Sequence, residues 1–172
     1  MAVEPQSTLL IFEVSGQIAA LPVEDVKGIV PIARLARPPG LPSALEGVLN
    51  LGGSAVSVLR LDRLLNLPLR DPGLYSVVIV LKNEVISKEN GVSAAILVDQ
   101  VTEILFVARE ALLPVGEGHS FNGCAQAAVS ASGRTIHVLS PQRLLLEQEA
   151  RSLAEFQAAA QQRLLHWEAS LQ

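Results

Sequence analysis

Two stretches of this chain are versions of one another. GQIAALPVEDVKGI (16–29) aligns with GVSAAILVDQVTEI (91–104), with identities at Gly16/Gly91, Ala19/Ala94, Ala20/Ala95, Val23/Val98, Val26/Val101 and Ile29/Ile104. Leu21/Ile96 and Glu24/Asp99 are close replacements. Downstream, GSAVSVLRLDRLL (53–65) matches GRTIHVLSPQRLL (133–145), sharing the glycine, Val58/Val138, Leu59/Leu139, Arg63/Arg143 and the closing Leu-Leu pair. Two matches in the same order at nearly equal offsets imply a duplicated unit, and a duplication constrains the fold before any single element is assigned.

Each unit reads as a set of short strands. TLLIFEV (8–14) leads the first copy and SVVIVLKN (76–83) the second; both are short, bounded and rich in β-branched residues. In the second copy VISKENG (85–91) is polar, ends in glycine and predicts a hairpin connection. IVPIARL (29–35) and ILFVARE (104–110) lead toward the proline-bearing loops RPPGLPS (37–43) and LPVGEGH (113–119). Each copy closes with a glycine-centred hairpin, a strand (AVSVL or TIHVL) and a short helix beginning near Asp62 or Ser140. Ser140-Pro141 is a helix-start signal, a capping hydroxyl followed by proline at the first helical position. Many short strands separated by turn signals predict small barrels or a sandwich. With 49% apolar but only 3% aromatic residues, the core must be built from Leu, Val, Ile and Ala.

From Pro141 onward there is no glycine and no further proline, and helix formers dominate. Leu146, Leu153, Phe156, Ala160, Leu164, Trp167 and Leu171 fall on one stripe at helical spacing. Two readings stay open: the stripe packs on the chain's own barrels, or it pairs with another protein or a second copy. The expected division is a two-lobe β domain over 1–146 and an amphipathic helical extension over 147–172.

The formal net charge of −4 carries no basic or acidic block, which argues against nucleic-acid binding. The longest aliphatic runs, VVIVL (77–81) and AAILV (94–98), are far shorter than the roughly 20 residues a membrane helix needs. MAVEPQSTLLIF does not read as a secretory signal, and a single Cys124 cannot close an internal disulfide, so a cytoplasmic protein is expected.

With the repeat and the glycine hairpin in place, the chain resembles the CheW-like domain family, adaptor proteins that couple chemoreceptors to a histidine kinase in bacterial chemosensory arrays. The resemblance runs over about 8–146. It is carried by LLIFEV, PVEDVKGI, VVIVL, ILVDQVTEI, TIHVLSPQRLL and RPPGLPSALEGVLNLGG, the last close to the family's P-x-x-x-x-G-x-x-N-L-R-G. It implies a mostly β fold of two interlocked five-stranded SH3-like barrels, with short helices and a C-terminal α-helix. It also implies a non-catalytic adaptor without cofactors, recruited to membrane-associated receptor arrays. Its partners would be a chemoreceptor cytoplasmic tip and the kinase's regulatory domain.

The resemblance implies a receptor-facing groove between the barrels that would draw on Val26, Gly47, Gly53, Val77 and Val78, with Gly28, Asn50 and Gly52 as further partner-binding positions. Small and β-branched residues leave a shallow apolar trough into which a helical tip can place its own apolar residues. Ordinary core is the competing reading for the valines, because alternate strand residues face inward anyway. Two departures stand out. The family pattern has arginine where this chain has Gly52, and a carboxylate is common where it has Gly28. If the two charges pair in ordinary members, losing both is tolerable where losing one is not. Turn geometry does not obviously require glycine at 52, because Ser132 stands opposite it in the repeat. The implied protein is then a variant adaptor with altered receptor or kinase contacts.

No catalytic constellation emerges. His119, His137 and His166 have no second His or Cys at metal-ligand spacing. GEGHS (116–120) reads as a turn, NLGGS lacks the lysine of a phosphate loop, and Cys124 reads as a small buried residue. Beside the adaptor, two further classes remain: a scaffold docking or self-associating through its C-terminal helix, and a small-molecule sensor or enzyme using the groove.

Overall fold

The computed structural model describes residues 6–32, 35–37, 39–82, 93–115, 121–145 and 147–170. The predicted hairpin at 85–91, GEGHS with His119, and the stripe positions Leu146 and Leu171 lie outside the described residues. The strands are β1 (Gln6–Val14), β2 (Gln17–Pro22), β3 (Val26–Pro31), β4 (Leu45–Leu51), β5 (Ser54–Arg60), β6 (Val77–Leu81), β7 (Ala94–Val98), β8 (Gln100–Ala108), β9 (Leu113–Pro114), β10 (Ala125–Ala131) and β11 (Arg134–Leu139). Helix α1 spans Leu61–Leu64 and α2 spans Glu147–Ser170.

One sheet runs in the order β8-β1-β2-β11-β10-β9 and the other β3-β6-β7-β5-β4. The first copy supplies β1–β5 and the second β6–β8, β10 and β11, so each sheet takes its two leading strands from one copy and its other three from the other. The copies are interlocked through exchange of strands. The joints are two parallel pairs, with Ser57 opposite Ala94 and Val58 opposite Ala95 in one, and His137 opposite Ala19 and Val138 opposite Ala20 in the other. These are equivalent positions of the repeat, so the duplication reappears as identical register. Among the described strands, two-residue β9 is the one without a counterpart, and it makes the first sheet six-stranded where five strands were expected.

Burial follows from this interlock. Along β7, Ala94, Ile96 and Val98 enter a central cluster between the sheets, while Ala95 and Leu97 enter a smaller one inside the second sheet. Along β1, Leu10, Phe12 and Val14 face the centre, and Leu9 and Ile11 face the interior of the first sheet. Strands buried on both faces read as unbroken aliphatic runs rather than alternation.

The predicted cap at Ser140 is corrected. Pro141–Arg143 forms a 3₁₀ turn with proline at its start, but the Ser140 hydroxyl donates to Gln142 Oε1 at 3.0 Å and caps no backbone N–H. A single tight turn offers few unpaired amides, and the Ser140 carbonyl already accepts from the Arg143 N–H at 3.0 Å.

Candidate partner-binding surface

Among the described residues β3 is an edge strand whose only strand neighbour is β6. Its alternation turns Val26, Gly28 and Val30 inward and leaves Lys27, Ile29 and Pro31 exposed, with Ile29 at 44%. The register with β6 slips between Val26/Leu81 and Gly28/Val80, placing Lys27 on a bulge. Gly28 has open space where a Cβ would stand. Val26 and Val77 are half-buried and pack on the central cluster.

Two of the expected groove positions are buried. Val78 is fully buried inside the second sheet, because β6 is covered on both faces and the alternation that leaves Val77 half-open turns Val78 inward. Gly47 is buried beneath the segment that bridges to β4 through Ala36 and Val48. A Cβ on Gly47 would stand 2.7 Å from the Ala36 carbonyl oxygen and 3.1 Å from Leu35 Cβ. Close approach of backbone, not an open trough, requires glycine at 47.

The β4–β5 hairpin carries Asn50, Gly52 and Gly53. Leu51 lies opposite Ser54, so Gly52-Gly53 is a two-residue turn, with φ of +61° and +89°. Positive φ at both central residues is the hairpin turn whose twist matches the strands. The turn itself therefore favours glycine at 52 without requiring it. Ser15 (φ 49°) and Ser132 (φ 52°) hold the same place in the other two hairpins, so a side chain is also accommodated. Asn50 is exposed, and its Oδ1 accepts the Gly53 N–H at 2.9 Å. Gly52 and Lys27 share a cavity with Leu51, Ser54, Val56, Val80 and Ser93. The structure thus joins the edge strand and the hairpin around an apolar floor with Lys27 at its rim.

The C-terminal stripe divides. Leu153 is buried in the central cluster with Phe156 packed against it, Ala160 and Leu164 are half-buried, and Trp167 is 65% exposed. Two residues that the apolar pattern passed over hold α2 to β5. Gln161 Oε1 accepts the Ala55 N–H at 2.7 Å and its Nε2 donates to the Gly53 carbonyl at 3.0 Å. The Ser57 hydroxyl reaches Gln157 Oε1 at 3.5 Å. Gln157 and Gln161 follow Leu153 at four-residue spacing on its face, which is the signal that could have found them.

A model of the CheW-like domain matches residues 8–149, the greater part of the chain. The chain belongs to the CheW-like domain family. It is 22% identical over 139 residues to the chemotaxis protein CheW of Thermotoga maritima, covering 81% of this chain and 87% of that protein. Its fold is similar to the crystal structure of the scaffolding protein TtCheW from Thermoanaerobacter tengcongensis, with a TM-score of 0.72, 18% identity, and 85% and 90% of the two chains covered. The two interlocked sheets are the SH3-like barrels of this CheW-like fold.

Within the CheW-like domain, a charged network braces the end of β5 away from the hairpin. Asp62 is buried; it accepts from Arg60 Nε at 3.3 Å and Nη2 at 3.1 Å, from the Arg63 N–H at 2.8 Å and from the Arg70 N–H at 3.0 Å. The Asp62 hydrogen bond holds the Arg60 guanidinium above its ordinary pKa. Glu46 adds pairs with Arg37 at 2.8 Å and Arg60 at 3.6 Å. Asp25, between β2 and β3, has its carboxyl pushed up by burial and by Glu24, against the pull of Lys82.

The remaining polar candidates of the CheW-like domain serve packing. His137 lies on β11 with its ring edge-to-face with Phe121, centroids 5.4 Å apart. Cys124 is buried at the entrance to β10, its thiol 3.3 Å from the Arg143 carbonyl. Among the described residues no group of three or more His, Cys, Asp and Glu is placed to hold a metal ion.

Proposed function

We propose that this CheW-like chain is a non-catalytic adaptor that couples chemoreceptors to a histidine kinase, meeting the receptor tip at the hairpin end of its second barrel. The observation that carries the reading is the cavity shared by Lys27 of the edge strand and Gly52 of the hairpin, floored by Leu51, Val56 and Val80. An apolar hollow with one cation suits a helical tip that offers an apolar side chain beside a carboxylate. Gly28, Asn50 and Gly53 flank this region in sequence, whereas Val26 and Val77 pack on the central cluster. The protein would work in the cytoplasm at membrane-associated arrays, brought there by receptors. No helix among the described residues is long and apolar enough to cross a membrane.

The test is a binding titration of the purified chain with a receptor-tip fragment and with the kinase regulatory domain. Lys27→Glu is expected to weaken tip binding, and absence of binding to either partner overturns the reading. A second arm combines Gly28→Glu with Gly52→Arg. If glycine at these places alters contacts, the double variant binds more tightly than the natural chain; equal affinity sinks that part.

The alternative, docking or self-association through α2, is favoured by one observation, the exposure of Leu165 and Trp167 on its far turns. Truncation is best placed after Leu164, since cutting at 146 would remove Leu153 from the core. Partner binding that survives this cut assigns binding to the barrels.

A further inference from the structure

Three two-residue hairpins in the described chain differ in how much freedom their turns carry. Ser15-Gly16 and Ser132-Gly133 hold one glycine each, whereas Gly52-Gly53 holds two. Glycine loses more conformational freedom on folding than any other residue, so the β4–β5 turn is the loosest by composition. It is also the turn gripped by side chains on both sides. The Gly53 N–H donates to Asn50 Oδ1 at 2.9 Å, and the Gly53 carbonyl accepts from Gln161 Nε2 at 3.0 Å.

Gln161 makes a second bond, from the Ala55 N–H to its Oε1 at 2.7 Å. The pair has a familiar geometry. In a parallel ladder one residue donates to the carbonyl just before its partner and accepts from the N–H just after it. The Gln161 amide does this around Ser54. β5 and β7 already run parallel along this edge, and the Ser57 N–H donates to the Ser93 carbonyl at 3.1 Å. Gln161 extends that ladder two residues closer to the hairpin, with a side chain in place of a strand. Leu153, buried one helical stretch earlier, sets α2 at the depth from which Gln161 reaches.

We propose that α2 is a strap and that Gln161 is the positioning residue of the Gly52-Gly53 hairpin, its amide acting as a surrogate strand residue on the edge of β5. The loosest turn thereby becomes a fixed wall of the cavity it shares with Lys27. The consequence for partner binding rests on the reading under Proposed function; the strap itself does not. Holding the turn in advance spares the partner the entropy of ordering it.

Amide hydrogen exchange on the full chain decides the strap. In Gln161→Ala, exchange at Ala55 is expected to rise at least about tenfold while Val58, deeper in the same strand, keeps its rate. Unchanged Ala55 exchange overturns the proposal, and the Val58 rate shows that the variant is folded. A receptor-tip titration then reads the consequence. Affinity should fall in Gln161→Ala and recover when Gly52→Asn is added, because Asn-Gly prefers this turn on its own. Undiminished affinity beside faster Ala55 exchange overturns the positioning role. A tip that fails to bind the natural chain refutes the adaptor reading instead, and the exchange result still decides the strap.

Discussion

Arg63 and Arg143 do the same work in the two copies: each donates from Nη1 to a carbonyl at the approach to a strand of its own copy, Ser43 before β4 at 3.2 Å and Ala125 at the start of β10 at 3.1 Å. The repeat therefore preserves a tie as well as a pattern of apolar residues. Charged donors to backbone carbonyls contribute more than neutral ones, but exposed side chains share their charge with water. Replacing either arginine with alanine should cost about 1 kcal/mol, by a similar amount at both sites, in urea denaturation. A loss confined to one site would show that the equivalence is of sequence only.

Gly47 and Gly28 make opposite predictions. Gly47→Ala drives a Cβ against the Ala36 carbonyl, and backbone cannot yield as a flexible side chain can. A loss of roughly 1–3 kcal/mol is expected, the usual range for overpacking. Gly28→Ala adds its methyl to open space at a backbone angle any residue adopts, and stability should hold or rise. Thermal melts of the two variants check both; equal destabilisation would refute the assigned role of the Ala36 bridge.

How much of this was legible beforehand depends on the range of each contact. The strands and the duplication were, because local aliphatic runs and the repeated Ala19/Ala94 and Val58/Val138 report burial directly. The interlock of the two barrels came only through the family resemblance, since nothing in β5 alone says that Ser57 will lie opposite Ala94. Val77 and Val78 were inseparable for a related reason: when both faces of a strand are buried, alternation loses its meaning and only the surroundings tell centre from barrel. Gly47 and Gly52 look alike in sequence, yet one answers to a distant carbonyl and the other to its own φ. Gln161 escaped notice because a polar residue near an apolar stripe ordinarily marks its wet border.

The Asp25 carboxyl supplies a pH signature. Burial raises its pKa in the folded chain above the ordinary 3.8, so the folded state holds the proton more tightly than the unfolded one. Its contribution is then most favourable in acid and is lost as pH rises through the carboxylate range, leaving a penalty at neutral pH. Asp25→Asn should accordingly be more stable than the natural chain at pH 7, with the advantage shrinking toward about pH 3–4. Denaturation curves at the two pH values check the sign, and an advantage that grows in acid would contradict it.

Trp167, the sole tryptophan, reports on the free end of α2. It is 65% exposed, beyond the last contact that Gln161 makes with β5, and Leu165 beside it is 55% exposed. In the isolated chain its emission should be that of a water-exposed indole, readily quenched by acrylamide and unchanged on dilution. Association through these turns would bury the ring, shift the emission to the blue and make the shift depend on concentration. Trp167→Ala should leave urea stability nearly unchanged, because the residue packs on little within the chain. A concentration-dependent blue shift that Leu165→Ser removes would instead establish α2 as a self-association element and weaken the assignment of partner binding to the barrels.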